Sequence, residues 1–355
     1  MKRIVLTGGG TAGHVTPNLA IIPELKSKGL EVHYIGQING IEQKLVEGVV
    51  DYYHHISAGK LRRYFDFKNF TDVFKIVLGV LKSIFLLLKI KPGVVFSKGG
   101  FVSCPVVWAS WLLRIPVIIH ESDLTPGLTN RLSAPFAKKI CYSFPETIKY
   151  INSSKAVHTG IPVRSVIQNG NASQGKKICN FKSDKPVLLI VGGSLGSKVI
   201  NDLIRENIDT LSSEFSICHI CGQNGLDESL MDRVDYRQFE YVDQELPDFF
   251  AMADLVISRA GATILFELLA VKKPSLLIPL SKKASRGDQI LNAKSFAKQG
   301  LAVVVEEESL SEISIIEKIQ EIIQNKDQII QQINQQSLDQ GNQQIFIIID
   351  EMLNY

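Results

Sequence analysis

An imidazole, His14, closes the glycine-rich run Gly8-Gly9-Gly10-Thr11-Ala12-Gly13. A histidine with a pKa of about 6.5 accepts a proton near neutrality, and a plain phosphate loop has no need of one. The run follows apolar Ile4-Val5-Leu6 and leads into a helical stretch from Thr16. Such a strand–glycine loop–helix brings backbone N–H groups and a helix N-terminus close to a phosphate. The design recurs at Val187-Leu188-Leu189-Ile190-Val191 followed by Gly192-Gly193-Ser194-Leu195-Gly196-Ser197. There the amides of Gly193 and Ser194, with the Ser194 hydroxyl, suit the negative charge of a departing diphosphate. Ser194 could equally be a simple helix N-cap. Glu267, in a helical stretch, can accept hydrogen bonds from ribose hydroxyls or serve only as a helix-dipole partner. Glu121 is a second candidate carboxylate, as base or as a group orienting a hydroxyl. No Asp-x-Asp pair or His/Cys cluster lies near either loop, so no metal or other cofactor is expected. Helix ends and Arg164 would stand in for a cation.

Alternating elements must position these groups. Strand-like runs fall at 4–6, 32–35, 94–96, 117–120 and 139–141, and again at 187–191, 216–220, 234–239, 255–258, 275–278 and 302–305. Helical stretches lie between them, at 19–28, 198–207 and 263–270 among others. This predicts an α/β protein with parallel sheets, and ligands at the carboxyl ends of the strands. The length of 355 residues suits two domains: 1–160 and 161–340, followed by a final helix, 341–355, that could return to the first domain. The boundary is read near Thr159-Gly160-Ile161-Pro162, with a polar, loop-like connection from Gln168 to Asp184. Gly341-Asn342 is expected to break the C-terminal helical pattern.

The bulk composition is globular, 45% hydrophobic and 21% charged, and a net charge of +3 gives no reason to expect a nucleic-acid partner. The first residues form a strand rather than a signal peptide, which points to the cytoplasm. Cys218-His219-Ile220-Cys221 has redox-pair spacing but lies in an alternating apolar run, so a buried strand is expected. From Leu61 to Lys91 the chain is basic and apolar. Arg62, Arg63, Tyr64, Phe65, Phe67 and Phe70 precede a helical run in which Lys75, Lys82 and Lys89 recur every seventh residue. Three lysines argue against a membrane span. The pattern fits a helix lying on an anionic membrane surface, although an ordinary core helix with lysines in water has the same period.

Five stretches, in order, resemble one family. They are Gly9-Gly10-Thr11-Ala12-Gly13-His14; Ser97-Lys98-Gly99-Gly100-Phe101-Val102-Ser103-Cys104-Pro105; His120-Glu121-Ser122-Asp123-Leu124-Thr125-Pro126-Gly127-Leu128-Thr129-Asn130-Arg131; Gly192-Gly193-Ser194-Leu195-Gly196; and Ser258-Arg259-Ala260-Gly261-Ala262-Thr263-Ile264-Leu265-Phe266-Glu267. The family is the bacterial peptidoglycan glycosyltransferases, MurG. The resemblance implies a GT-B fold, two Rossmann-like parallel-sheet domains facing a central cleft. It implies inverting transfer of N-acetylglucosamine from UDP-GlcNAc to lipid I, giving lipid II, by a peripheral protein on the cytoplasmic face of the bacterial membrane, with other cell-wall synthesis proteins as partners. It implies His14 and Glu121 as catalytic residues. Donor contacts are implied at Thr11, Ala12, Gly13, Arg164, Gly193, Ser194, Val242, Ala262, Thr263, Ile264, Leu265, Phe266, Glu267 and Gln289, and acceptor contacts at Gly99, Gly100 and Asp123. Three positions depart from the pattern. Ala12 replaces a glycine, Asp288 precedes Gln289 where a glutamine pair is usual, and Asp123 replaces an asparagine. An ionised carboxylate cannot donate the hydrogen bond an amide would give.

Other readings compete. Gly8-x-Gly10-x-x-Gly13 formally matches a dinucleotide fingerprint, but the second strand ends in Gln37 where an NAD-binding dehydrogenase needs an acid. A diacylglycerol sugar transferase, a UDP-GlcNAc epimerase and a non-catalytic membrane-bound nucleotide sensor share parts of the pattern.

Overall fold

The computed structural model describes residues 2–59, 68–193, 196–336 and 340–354, without the side chains of 68–73 and 340. It divides into two compact units, Met1–Arg164 with Asp339–Tyr355, and Ser165–Leu338.

The first unit carries β1 (Arg3–Thr7), α1 (Thr16–Ser27), β2 (Glu31–Gln37), α2 (Ile41–Val46), β3 (Tyr52–Ile56), α3 (Lys68–Ile90), β4 (Val94–Ser97), α4 (Ser103–Leu112), β5 (Val117–Glu121), α5 (Leu128–Ser133), β6 (Lys139–Tyr142) and β7 (Ala156–His158). The strands form one parallel sheet in the order β3-β2-β1-β4-β5-β6-β7. Helices cover both faces, so the central strands are near-continuous apolar runs. On one face Ile4, Leu6, Val32 and Phe96 meet Ile21, Ile22 and Leu25 of α1. On the other, Val5, Val95 and Ile119 meet Leu87 of α3 and Val106 of α4.

The second unit carries α6 (Ala172–Ile178), β8 (Val187–Val191), α7 (Lys198–Glu206), α8 (Ile208–Glu214), β9 (Ser216–Ile220), β10 (Tyr236–Phe239), α9 (Leu246–Met252), β11 (Leu255–Ser258), α10 (Ala262–Ala270), β12 (Ser275–Leu277), α11 (Asp288–Lys298), β13 (Val303–Val304), α12 (Ile315–Gln324) and α13 (Lys326–Asn334). Its sheet is also parallel, in the order β10-β9-β8-β11-β12-β13. The last helix, α14 (Gln340–Leu353), belongs to the first unit and sets Ile345, Phe346 and Ile349 into the same core as α1.

Strand order reverses at β1/β4 in one sheet and at β8/β11 in the other. In register, Thr7 lies beside Ser97, and Val191 beside Ser258. Adjacent strands therefore end level, and the loops after them start side by side. Open parallel sheets bind ligands at such reversals.

Three sequence expectations need correction. The stretch read as a loop at 168–184 contains α6. Asn171 caps it, its side chain accepting from the amides of Ser173 and Gln174, while its own amide donates to Asp248. Gly175 packs so closely that an added Cβ would lie 2.6 Å from the Asp248 carbonyl oxygen of α9. Gly341-Asn342 does not break a helix but lies in the first turn of α14. The Asn342 side chain accepts from Val163 N at 3.1 Å and donates to Val163 O at 3.0 Å, pinning the end of the first unit. The strand read from 234 starts at Tyr236, because Asp235 takes a left-handed φ of 61°.

Cys218 lies in β9 and Cys221 just beyond it, both buried with free thiols. Burial pushes the Cys221 thiol up to about 11. Neither is a redox pair at a helix start. Between them His219 is buried, bonded to Tyr236 Oη at 2.9 Å and Asn201 Oδ1 at 3.0 Å. Burial, with Arg205 nearby, drives its pKa down to about 3. Below pH 6.5 the unfolded chain binds a proton at this position that the folded chain refuses. His219 therefore contributes full stability above pH 6.5 and loses it as pH falls toward 3, at about 1.4 kcal/mol per pH unit. Urea unfolding at pH 6.5 and pH 5 should show the parent losing about 2 kcal/mol more than His219→Gln; equal losses would remove His219 from the acid response.

Candidate functional site

In the first unit the loops after β1 and β4 touch. Gly9 N donates to Gly99 O at 3.3 Å. Gly100 has a φ of +82°, and an added Cβ would stand 2.0 Å from Gly9 O, so only glycine fits. Buried Glu42 of α2 holds the first loop from behind, accepting from Gly10 N at 3.2 Å and Gln37 N at 2.9 Å. Thr11, Ala12 and Gly13 are exposed or half-buried at the mouth. His14 is half-buried there, its Nδ1 2.9 Å from Thr11 Oγ1. When Nδ1 carries the hydrogen and donates to Thr11, the lone pair is on Nε2, the arrangement a base requires.

Glu121 ends β5 and is buried. It accepts from Asp123 N at 3.0 Å, Gly127 N at 2.9 Å and Asn130 Nδ2 at 2.9 Å. Burial, with Asp123 adding to it, raises its pKa. These bonds tie the carboxylate to the loop before α5 and to Asn130 in that helix. Beside it His120 Nε2 donates to Gly160 O at 2.7 Å, so Nδ1 is the acceptor that Lys98 Nζ reaches at 2.8 Å. Burial and Lys98 hold His120 well below its ordinary pKa, so it is neutral. Asp123 is half-buried in the loop.

In the second unit Gly193 is exposed, with a φ of +94° and open space around it. Ser194 lies outside the described residues. The N-cap of α7 is Ser197, whose hydroxyl accepts from Ile200 N. The N-terminus of α10 carries no side-chain cap, which leaves the amides of Ala262, Thr263 and Ile264 for a ligand. Leu265 and Phe266 are buried, so only their backbone could meet a ligand. Glu267 is buried on the same helix. Gln289, in the first turn of α11, accepts at its amide oxygen from Leu280 N at 3.0 Å. Val242 is half-buried in the loop between β10 and α9. Arg164 is the last residue of the first unit, next to the Val163 that Asn342 fastens.

Several organising residues escaped the sequence reading. Buried Arg259 donates to Ile278 O at 3.1 Å, Pro279 O at 3.3 Å and Ser197 Oγ at 2.6 Å, and pairs with Glu307. It ties the α7 cap, the end of β12 and the segment at Glu307 together. Arg259, Lys98 and His120 all stood within the quoted motifs. Their signal was a charged or titratable residue set among glycines and apolar residues. Among the described residues, no group of three His, Cys, Asp or Glu side chains could hold a metal ion. None of the described helices is long and apolar enough to cross a membrane.

Two family models match the chain. The glycosyltransferase family 28 N-terminal domain covers residues 4–142, and the C-terminal domain of the same family covers residues 187–345. A protein of Clostridium botulinum (strain Hall), described as UDP-N-acetylglucosamine--N-acetylmuramyl-(pentapeptide) pyrophosphoryl-undecaprenol N-acetylglucosamine transferase, is 54% identical over 98% of this chain and 99% of its own. A Clostridium tetani protein of the same description is 54% identical over 99% of this chain and 98% of its own. The crystal structure of Acinetobacter baumannii MurG superposes with a TM-score of 0.76, 24% identity and coverage of 99% of this chain and 100% of that one. UDP-GlcNAc 2-epimerase from Neisseria meningitidis superposes with a TM-score of 0.70 at 16% identity, over all of both chains, and shares the fold.

Proposed function

The chain belongs to glycosyltransferase family 28, in its MurG branch, and from that premise we propose that it transfers N-acetylglucosamine from UDP-N-acetylglucosamine to lipid I, the undecaprenyl-diphosphate-linked N-acetylmuramoyl-pentapeptide, forming lipid II. One observation carries this reading. Identity of 54% extends over 98% of the chain to relatives described as that transferase.

The donor sugar is α-linked to UDP and the product is β-linked, so the acceptor hydroxyl attacks in line in one step. Charge builds on the departing diphosphate. In this reading the Gly193 and Ser194 amides, the Ser194 hydroxyl and the uncapped amides at Ala262 to Ile264 take that charge. Glu267 accepts from the ribose, Gln289 donates to the sugar, and the Val242 backbone meets the uracil. Thr11, Ala12, Gly13 and Arg164 complete the donor contacts. The amides carry the role a divalent cation would fill, and no cofactor is required. His14 takes the acceptor proton, with Thr11 holding its tautomer. Glu121 shapes the acceptor loop that Gly99, Gly100 and Asp123 line.

The acceptor's lipid tail places the reaction at a membrane, and α3 fits a peripheral contact on its cytoplasmic face. Phe74, Val77, Leu78, Leu81, Phe85 and Leu88 are exposed on it, Phe74 to 72%. Exposed Lys75, Lys82 and Lys89 accompany them. Trp111 and Leu112, exposed on neighbouring α4, extend the apolar surface. An ordinary core helix would turn its apolar residues inward; here large ones also face outward, beside cations suited to anionic lipid. Arg62, Arg63, Tyr64, Phe65 and Phe67 lie outside the described residues.

Two experiments test these readings. Labelled UDP-N-acetylglucosamine with a short-chain lipid I analogue should give a β-linked disaccharide, and His14→Ala should lower kcat about 100-fold or more with little change in donor KM. An unchanged rate would remove His14 from the mechanism, and an α-linked product would overturn in-line transfer. Vesicles rich in anionic lipid should bind the protein at low salt and release it at high salt, and Leu81→Glu/Phe85→Glu should weaken binding at least about tenfold. Binding that ignores both changes would place membrane contact elsewhere.

A further inference from the structure

Two adjacent carboxylates, Glu306 and Glu307, follow β13 and stand outside every motif quoted above. Glu307 opens a short helical turn, Glu307–Ser309, ahead of α12. Its carboxylate pairs with Arg259 at 2.5 Å, and the two side chains are only 18% and 10% exposed. Glu306 pairs with Lys294 of α11 at 2.7 Å, but those side chains are 37% and 59% exposed, and a pair so open to water contributes little. The Arg259 pair is of another kind. Arg259 follows β11 directly, and two residues later Gly261 leads into α10. Its guanidinium donates to Ile278 O, Pro279 O, Ser197 Oγ and Glu307. Of these partners only Glu307 carries a charge. Removing one member of a buried pair leaves the other charge uncompensated, and the side chain must then turn elsewhere.

Arg259 spans the two loops whose amides take the diphosphate in the reading above. Strand pairing fixes the two chains up to Val191 and Ser258. Beyond those residues the loops have no ladder between them, and the bond from Arg259 to Ser197 Oγ, at 2.6 Å, joins them. Ser197 in turn caps α7, accepting from Ile200 N at 3.3 Å. An added Cβ at Gly192 would stand 2.7 Å from Ser197 N, so a shift at Ser197 reaches the glycine loop directly.

We propose that Glu307 is a positioning residue for the donor. It fixes the Arg259 guanidinium, and through it the spacing between the Gly192-Gly193 loop and the first amides of α10. In this role it acts through Arg259 rather than by touching the substrate. The inference rests on the donor-side reading of Gly193 and of the amides at Ala262 to Ile264.

The test measures KM for UDP-N-acetylglucosamine, KM for a short-chain lipid I analogue, and kcat. The proteins are the parent, Glu307→Ala, Glu307→Gln, Arg259→Met and the double variant Glu307→Ala/Arg259→Met, with Glu267→Ala as an independent report on the donor site. Glu307→Ala is expected to raise donor KM about tenfold and leave acceptor KM within about twofold. In Glu307→Gln the amide oxygen still accepts from Arg259 without the charge, so donor KM should rise only about threefold. In the Arg259→Met background, Glu307→Ala should change donor KM by less than about twofold, because the group it acts through is gone. An unchanged donor KM in Glu307→Ala, equal rises in both KM values, or an undiminished effect in the Arg259→Met background overturns the proposal. The donor-side reading then stands if Glu267→Ala raises donor KM. If Glu267→Ala leaves donor KM unchanged, that reading fails and the proposal falls with it. Should Glu307→Ala or Arg259→Met not fold, Glu307→Gln decides: a rise confined to donor KM supports the positioning role, and an unchanged or unselective KM overturns it.

Discussion

Level strand ends at the two points where strand order reverses are the constraint on which this protein's chemistry depends. Parallel pairing puts Thr7 beside Ser97 and Val191 beside Ser258. Each pair of loops therefore begins at one height on one edge of its sheet, with backbone donors gathered there. The loops have little room for side chains where they meet, as Gly100 against Gly9 shows. Their glycines answer to close approach as much as to ligand binding. A fold that presents amides in this way can meet a diphosphate without a dedicated cation.

Buried ions hold these loops. Glu42 receives the Gly10 amide, Glu121 receives two amides and an asparagine, Lys98 reaches His120 and Ser122, and Arg259 joins the α7 cap to β12. Burying ions for stability alone is a poor bargain, because desolvation offsets most of the attraction. What these ions supply is fixed geometry in segments that have no regular backbone pairing. His14 differs from them. It is half-buried at the loop mouth, with the Thr11 hydroxyl 2.9 Å from Nδ1.

Much of this was legible in the sequence because central parallel strands are buried on both faces and read as unbroken apolar runs. Ile4 to Leu6 and Val187 to Val191 are such runs, and the glycine loops after them mark the strand ends. The edge strands β3 and β7 were not legible. Tyr52-Tyr53-His54-His55-Ile56 and Ala156-Val157-His158 mix polar and apolar residues, as half-exposed edges do. Helix α6 was hidden in turn-like composition, since Asn171 and Gly175 act through contacts with α9 that sequence does not display. Among the candidate site residues, the glycine loops and His14 stood out by type and spacing, whereas the α10 N-terminus entered only through the family resemblance. The partners of Glu121 could not be read, because two are loop amides and the third is Asn130 of α5, brought to it by a loop whose path only folding sets. Lys98 and His120 meet across 22 residues, and although each stands among glycines or apolar residues, neither stretch discloses the other as its partner.

The central claim is that amides at the ends of β8 and β11 hold the donor's diphosphate. A crystal structure of the protein with UDP-N-acetylglucosamine tests it most directly. The account predicts the diphosphate within hydrogen-bonding distance of the Gly193 amide and of the first amides of α10, with the ribose at Glu267. A diphosphate seated away from these amides, with the ribose remote from Glu267, would contradict it.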